Sequence, residues 1–552
     1  MKNKKNGVMS NNLNCLCSAF FLIFFLFCFI SCKSFNGVTS IPEHINYDDS
    51  KVVENEIQRI NSYMESEPVR ALWRALLLND EEIIERAKQN LTILLERAIE
   101  EKEYFEAKKY LKSLESVGFV SKDISISQIY ELSSKEVPGL TADVEKRPES
   151  IADCMEATVT IWVDRGMKVQ EGTGYADIII GSGFFIDRRG YIVTNYHVID
   201  SMVNPKYEGF SRLYIKLQED FDTKIPAKVI GYDSTLDLAL LKAEIEPKFV
   251  LQLGSSADLK TGDKVSAIGT PIGLEGTLTS GIISSTERKL LTLGNVFQLD
   301  AAVNSGNSGG PLIDENLKVQ AVVFAGMQQS QGLNFAIPVE YLTQELSLMY
   351  HKEEVVHSWI GCYGRTKRNG KQKVGLEIQY VLPGSSAFLS GLKPSDVITS
   401  LDNIKVTSLE DFQYVCMGYE NETLLNFTYI TMENEEQVEK KGYLYLEKRP
   451  KSPSYEVYKT DFISNGFVPL FGMKLIPSST LNKNSYTIDY VLKGTSADQL
   501  HFSQYDSVTV RDMKIDEKNE YIFVMLYSKR KKKGFLDISM ILSAPFDSPY
   551  YF

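Results

Sequence analysis

Three stretches of this 552-residue chain bring together residue types suited to acyl transfer. The first runs Gly181-Ser182-Gly183-Phe184-Phe185-Ile186-Asp187, then Gly190-Tyr191-Ile192-Val193-Thr194-Asn195-Tyr196-His197-Val198. The second is Asp233-Ser234-Thr235-Leu236-Asp237-Leu238-Ala239-Leu240-Leu241-Lys242, and the third is Asp300-Ala301-Ala302-Val303-Asn304-Ser305-Gly306-Asn307-Ser308-Gly309-Gly310-Pro311. A serine hydroxyl is a weak nucleophile near neutral pH, so a base must take its proton during attack. Imidazole suits that task because its pKa lies near the working pH. A carboxylate must hold the ring in one tautomer and stabilise it once charged. Backbone N–H groups must meet the developing oxyanion, which favours a nucleophile in a Gly-rich turn. Gly306 to Gly310 is such a turn, and His197 is the only histidine between residues 45 and 350.

In this order the segments resemble the trypsin-like HtrA/Do family of exported serine proteases, with its GSGF, GYI-TN-HV, D-ALLK and DAA-N-GNSGG blocks. Lys264 to Gly273, followed by Thr279 to Ser284, is similar to a further block, and the likeness covers about residues 155–345. The order His, Asp, Ser is that of the chymotrypsin type. The resemblance implies a chymotrypsin-like pair of six-stranded β-barrels with the site in the cleft between them. It makes Ser308 the nucleophile, His197 general base and then general acid, and Asp237 the orienting carboxylate, with Asp233 in the preceding turn. It places the oxyanion hole at the backbone N–H groups of Gly306 and Ser308. It also implies a homotrimer, unfolded polypeptides as substrates, and a small or medium aliphatic residue before the scissile bond. Phe324-Ala325-Gly326 and Leu333 to Pro338 resemble the lining of the specificity pocket and contain no acid, so a pocket for Lys or Arg is not expected. Leu290 to Val296, Met327 to Gly332 and Gly172 to Ile180 are similar to loops that sense bound peptide in that family.

Other elements must position this site. Residues 52–135 read as helices, with apolar residues at helical spacing through Ala71, Leu72, Ala75, Leu76 and again through Ile83, Ala87, Leu91, Leu95, Ala98. Asp80 before Glu81 and Glu82 is a cap signal, and Tyr104 opens a further helix that ends near Gly118. The pairs resemble tetratricopeptide-type hairpins, and a small bundle or stalk reads equally well. A polar stretch over 136–150 reads as a linker, and Gly-punctuated β-rich runs over 151–348 read as the protease domain.

The C-terminal third repeats at an offset of 110 residues: Tyr380-Val381-Leu382-Pro383-Gly384-Ser385-Ser386-Ala387 matches Tyr490-Val491-Leu492-Lys493-Gly494-Thr495-Ser496-Ala497. Two related domains, 355–448 and 456–552, are expected. The first resembles an HtrA-type PDZ domain through Trp359-Ile360-Gly361-Cys362-Tyr363-Gly364, Leu382 to Ala387, Ser390 to Lys393 and Asp396-Val397-Ile398. The resemblance implies capture of peptide C-termini at Ile360, Gly361, Cys362 and Tyr363, with strand pairing to the incoming chain. In the second copy His501 stands where the first has Gly391, and docking competes with peptide capture as its role. Leu409, Phe412 and Cys416 share one face of a helix beginning near Ser408, which raises a Cys362–Cys416 bridge as one outcome and two buried free thiols as the other. The basic run Ser528 to Gly534 reads as a hairpin turn, with contact to anionic lipid as the alternative.

Lys2, Lys4 and Lys5 precede an apolar run of 12 residues, Ala19 to Ile30. That length fits a signal-peptide core and is short of the roughly 20 residues of a membrane span. Ser31-Cys32 after it resembles a lipobox, which implies a signal over 1–31, a lipid on Cys32, a tether over 32–51, and an exported chain held at a membrane with its protease domain on the periplasmic side. The net charge of −12 makes the chain a poor nucleic-acid binder. No metal-ligand spacing or phosphate loop is apparent, so neither cofactor nor metal is expected. A serine endopeptidase is the leading reading, and a non-proteolytic chaperone or peptide-binding scaffold is its rival.

Overall fold

A computed structural model of the chain describes residues 49–552 apart from 121–124, 142, 171, 208–210, 258, 271–275, 327–332, 462, 464, 479–483 and 531–535. The signal expected over 1–31, Cys32 and the rest of the expected 32–51 tether up to residue 48 lie outside the described residues, as do Met327 to Gly332 and most of the basic run, while a helix already begins at Ser50 within the expected tether. Among the described residues no helix is long and apolar enough to cross a membrane.

The N-terminal region is helical: Ser50–Ser66, Pro68–Leu78, Glu81–Glu100, Tyr104–Ser116 and Ile126–Ser134. Asp80 caps the third helix, accepting from the N–H groups of Glu82 and Ile83 at 3.1 Å. Its stripe Ile83, Ala87, Leu91, Leu95, Ala98 is buried, as a period near 3.6 dictates. Pro68 separates the first two helices because it takes an N-terminal helical position and cannot continue the preceding one. Glu56 and Arg74 form a buried bidentate pair across that break, one arm at 2.7 Å. The bundle is not a free stalk. Its core includes Leu424 and Tyr445 of the first PDZ-type sheet, and the fully buried Trp73 ring stacks on Tyr445 at 5.4 Å.

Residues 136–150 form no regular element, yet they are docked. Val137 is buried in the core that joins the two barrels, Val250 N–H donates to Lys146 O at 2.9 Å, and Arg188 pairs with Asp143 and Glu145. The two expected barrels follow. The first contains β1 (Thr158–Gln170), β2 (Thr173–Asp187), β3 (Tyr191–Thr194), β4 (Arg212–Lys216), β5 (Ile225–Asp233) and β6 (Leu238–Ala243), closed in the order β1-β2-β3-β6-β5-β4. The second contains β7 (Lys264–Gly269), β8 (Thr277–Arg288), β9 (Val296–Leu299), β10 (Pro311–Ile313), β11 (Val319–Gly326) and β12 (Asn334–Pro338), closed as β10-β11-β12-β9-β8-β7. Closure removes sheet edges. Each barrel has its own apolar interior. A third cluster, with Phe184, Leu240, Ile268, Val322 and the helix residues Leu342, Leu346 and Met349, joins the barrels.

Two sheets end the chain, a six-stranded one in which the short strand Ile404–Lys405 pairs off the main path with Val397–Leu401, and a five-stranded one. The first is ordered Cys362–Asn369, Gln372–Val381, Val397–Leu401, Leu424–Glu433, Glu436–Tyr445, and the second Met473–Pro477, Ser485–Val491, Ser507–Asp516, Tyr521–Arg530, Leu536–Pro545. The repeat is visible in their bonds: Leu382 N–H donates to Gly361 O at 2.8 Å, and Leu492 N–H to Gly472 O at 2.7 Å. His501 keeps the left-handed backbone of Gly391, with φ of 58° against 83°, so the substitution preserves the turn. The copies differ where the first carries the helix Leu409–Met417. In the second a short turn, residues 517–520, joins Ser507–Asp516 to Tyr521–Arg530. Among the described residues the second copy has no counterpart of that helix at the corresponding place.

Candidate active site

His197 lies in the first turn of the helix Tyr196–Val203, which follows β3. Asp237 ends the tight turn from β5 to β6 and adopts a left-handed φ of 56°, a conformation that Asp tolerates better than most side chains. That backbone lets one residue grip the helix start at four points. Its carbonyl accepts from Asn195 Nδ2 at 2.8 Å and from Tyr196 N–H at 3.2 Å. Its carboxylate accepts from His197 N–H at 2.8 Å through Oδ1 and meets His197 Nδ1 at 2.8 Å through Oδ2. An imidazole held so carries its proton on Nδ1 and turns Nε2 outward as a base. Asp233 takes the part of turn residue: Oδ1 accepts from the N–H groups of Thr235 at 2.8 Å and Leu236 at 3.0 Å.

Ser308 follows the single 3₁₀ turn Ser305–Asn307 and precedes β10 of the other barrel. Its carbonyl accepts from Ser182 N–H at 2.8 Å, which stitches the two barrels together at the site. Gly309 has φ of 87°, and a Cβ there would lie 2.2 Å from Ser182 O and 2.3 Å from Thr194 Oγ1, so the position requires glycine. A Cβ on Gly181 would meet Val198 at 2.8 Å, in the helix that carries His197. The blocks read as motifs are thus the surfaces where the two barrels press together.

The structure joins His197 to Asp237 but leaves Ser308 apart. Ser308 Oγ donates to Phe324 O at 3.1 Å, and among the described residues no hydrogen bond links it to His197. The hydroxyl is thus directed at a backbone carbonyl of β11 and not at the imidazole. Reading the sequence missed Ser182 as an actor. Its buried hydroxyl donates to Gly306 O at 2.7 Å and accepts from Thr270 N–H at 2.9 Å, so it fixes the turn that holds the expected oxyanion donors. The serine of the GSGF block was the available signal.

His357 was also missed. It lies in the connection to the first PDZ-type sheet, fully enclosed, with Nε2 at 2.8 Å from Asp233 Oδ2 and Nδ1 at 3.8 Å from Glu345 Oε1. Burial pushes the Glu345 carboxyl up to about 8. Burial lowers the His357 pKa, but Asp233 and Glu345 outweigh it and hold the ring above its ordinary value. The turn before Asp237 is therefore tied to the connection between domains.

Of the expected peptide-binding residues, Ile360 and Cys362 are buried in the core of the first PDZ-type domain, and Gly361 has φ of 82° with Ser385 against it. Tyr363 faces the other way, into the core of the second copy, because side chains alternate along a strand. Cys362 and Cys416 are buried free thiols in one cluster, so the bridge is not formed. The segment Leu290 to Val296 reaches the first PDZ-type domain, where Gly294 N–H donates to Gln413 Oε1 at 3.2 Å.

Two closed six-stranded barrels meeting at a histidine–aspartate pair and a serine in a glycine turn define the trypsin-like peptidase fold. Residues 181–322 match the trypsin-like peptidase domain family, residues 454–546 the TP0546 family PDZ domain, and residues 51–133 a domain of unknown function. The chain belongs to the HtrA/Do family of DegP-like serine endoproteases. A probable periplasmic serine endoprotease, DegP-like, of Marinomonas sp. is 30% identical over 343 residues, 58% of this chain and 68% of the relative. Its counterpart in Bartonella henselae is 39% identical over 247 residues, 42% of this chain and 47% of the relative. The chain spans about half the length of the first curated relatives it matches. Among solved structures, the HtrA-type protease AlgW with tripeptide is 26% identical and covers 55% of this chain and 98% of its own, with a TM-score of 0.45.

Proposed function

We propose that this chain is a serine endopeptidase that cleaves unfolded or damaged exported polypeptides. Ser308 is the nucleophile, His197 the base and then the acid, and Asp237 the orienting carboxylate. The observation that carries the reading is the double grip of Asp237 on the backbone N–H and Nδ1 of His197. Once the Ser308 hydroxyl has turned from Phe324 O, its proton passes to His197 Nε2 as Oγ bonds the substrate carbonyl carbon. The N–H groups of Gly306 and Ser308 receive the negative oxygen. The imidazolium then gives its proton to the leaving amine, and water repeats the sequence on the acyl-enzyme.

The first PDZ-type domain binds peptide ends and regulates this chemistry, and the second docks. In this arrangement residues 52–135 form the helical domain, 151–348 the protease, and 355–448 and 456–552 the two PDZ-type domains. The relatives named above are called periplasmic, which supports an envelope location. A lipid on Cys32 and a homotrimer complete the proposal.

The Ser308–Phe324 hydrogen bond is the observation that favours a non-proteolytic scaffold, since that role needs no rotation. Casein digestion separates the two readings. Cleavage by the unaltered chain that disappears in Ser308→Ala supports the peptidase, and equal rates for both defeat it.

A further inference from the structure

The edge of the first PDZ-type sheet is already occupied by this chain. Phe552 N–H donates to Cys362 O at 3.0 Å, Cys362 N–H donates to Phe552 O at 2.9 Å, and Gly364 N–H donates to Tyr550 O at 3.0 Å. Tyr551 pairs with Tyr363 in antiparallel register. This is strand addition, in which main-chain bonds hold the peptide and alternate side chains choose it. Phe552 is 2% exposed and packs with Ile360, Cys362, Phe412, Val415 and Cys416. Its ring meets that of Phe412 edge-on at 5.1 Å. Tyr551 points to the opposite side, where its hydroxyl lies 3.1 Å from Ser454 Oγ. The Arg365 guanidinium lies 4.5 Å from the Tyr550 ring centre.

We infer that residues 547–552 are an intramolecular ligand of the first PDZ groove, and that external chains enter it by exchange. The partner class follows from the pocket. It takes an extended polypeptide segment that places a large aromatic or aliphatic side chain in the space of Phe552. The inference deepens the peptide-binding part of the proposed function and rests on it. The occupied groove also reaches the protease domain. Gln413 of the groove helix donates to Pro549 O at 3.2 Å while it accepts from Gly294 N–H at 3.2 Å. Lys289, at the end of the β8 segment, lies 5.1 Å from the Tyr550 ring and pairs with Glu410 of the same helix at 2.7 Å. Departure of the segment takes Pro549 O from Gln413 and the Tyr550 ring from Lys289, the two residues that also hold Gly294 and Glu410.

A tethered ligand acts at an effective concentration of about 1 mM. Against an intrinsic dissociation constant on the order of 10 μM, it weakens apparent binding of an outside peptide by about 100-fold. The test is fluorescence anisotropy with a labelled peptide carrying the sequence of residues 545–552, titrated with the full chain and with Phe552→Asp. Deuterium uptake over 547–552 is followed in the unaltered chain as peptide is added. The expected result is at least tenfold tighter binding by the variant and a rise in uptake over 547–552 at saturating peptide. Equal affinity with unchanged uptake overturns the self-ligand and leaves the groove reading standing. Binding by neither chain overturns both. Equal binding of a peptide ending in Asp overturns the assigned partner class. Should Phe552→Asp lose its fold, the uptake measurement decides alone.

Discussion

Ser182 offers a route to the turn of the proposed oxyanion donors, Gly306 and Ser308, without touching the proposed reacting groups. Its hydroxyl is enclosed and donates to Gly306 O at 2.7 Å, accepts from Thr270 N–H at 2.9 Å and lies 3.3 Å from Thr270 Oγ1. Ser182→Ala keeps the strand and its backbone bond to Ser308 O, and removes all three side-chain contacts. It leaves one buried carbonyl and one buried N–H without a partner, each costing about 1–3 kcal/mol. The unfolding free energy should fall by about 2–6 kcal/mol. Losing an oxyanion donor outright costs about 10²–10³ in kcat. Loosening the turn that holds one should cost less, about 10–100-fold, with KM moving less than about threefold because Ser182 is enclosed beneath the site. The assay pairs kcat and KM on a fluorogenic peptide with urea unfolding of the same preparation. An unchanged kcat in a variant whose urea midpoint has dropped would refute the positioning role and leave Ser182 a structural residue only.

Asp237→Asn should lower kcat by about 10⁴ through the wrong imidazole tautomer, whereas a drop below tenfold in a folded variant would remove Asp237 from its role. The cluster of His357 with Asp233 and Glu345, faced also by Lys108, Arg449 and Asp547, makes stability depend on pH. Both shifted groups bind protons more tightly folded than unfolded, so stability is fullest on the acid side. It is lost as pH rises from about 4.5, where the unfolded Glu345 carboxyl ionises, through the raised folded values, at up to about 1.4 kcal/mol per pH unit for each extra proton held. The urea midpoint should fall between pH 6 and pH 9 and fall less in His357→Gln; a rising midpoint would contradict this. Trp73→Ala should cost about 3–5 kcal/mol, because its ring is fully buried against Tyr445, and a loss below 1 kcal/mol in urea unfolding would show that the helical region is not docked there.

What was legible in the sequence was local. Asp80, the stripe Ile83 to Ala98, and the strand–turn blocks around His197, Asp237 and Ser308 carry their signals within a few residues of themselves. The 110-residue offset announced the second copy, and Leu382 and Leu492, 110 residues apart, make matching bonds to Gly361 O and Gly472 O. What remained hidden depends on residues far apart in the chain. Nothing near Phe552 tells that it pairs with Cys362, nor does the sequence around His357 tell that its ring meets Asp233. The rotamer of Ser308 is set by Phe324 O, sixteen residues on. The polar composition of 136–150 suggested a linker, but its contacts with Ile186, Pro247 and Arg188 are made by residues of another element. The missing groove helix of the second copy was obscured because the matching Gly-Thr-Ser-Ala turn lies before it, where the two copies do agree.

The central claim is that His197 activates Ser308. A fluorophosphonate bonds an activated serine oxygen with loss of fluoride, so intact-mass measurement with peptide mapping reports on it directly. The account predicts one adduct, on Ser308, that is lost in His197→Ala while the variant remains folded. No adduct on Ser308, or one formed equally fast without the imidazole, would contradict it.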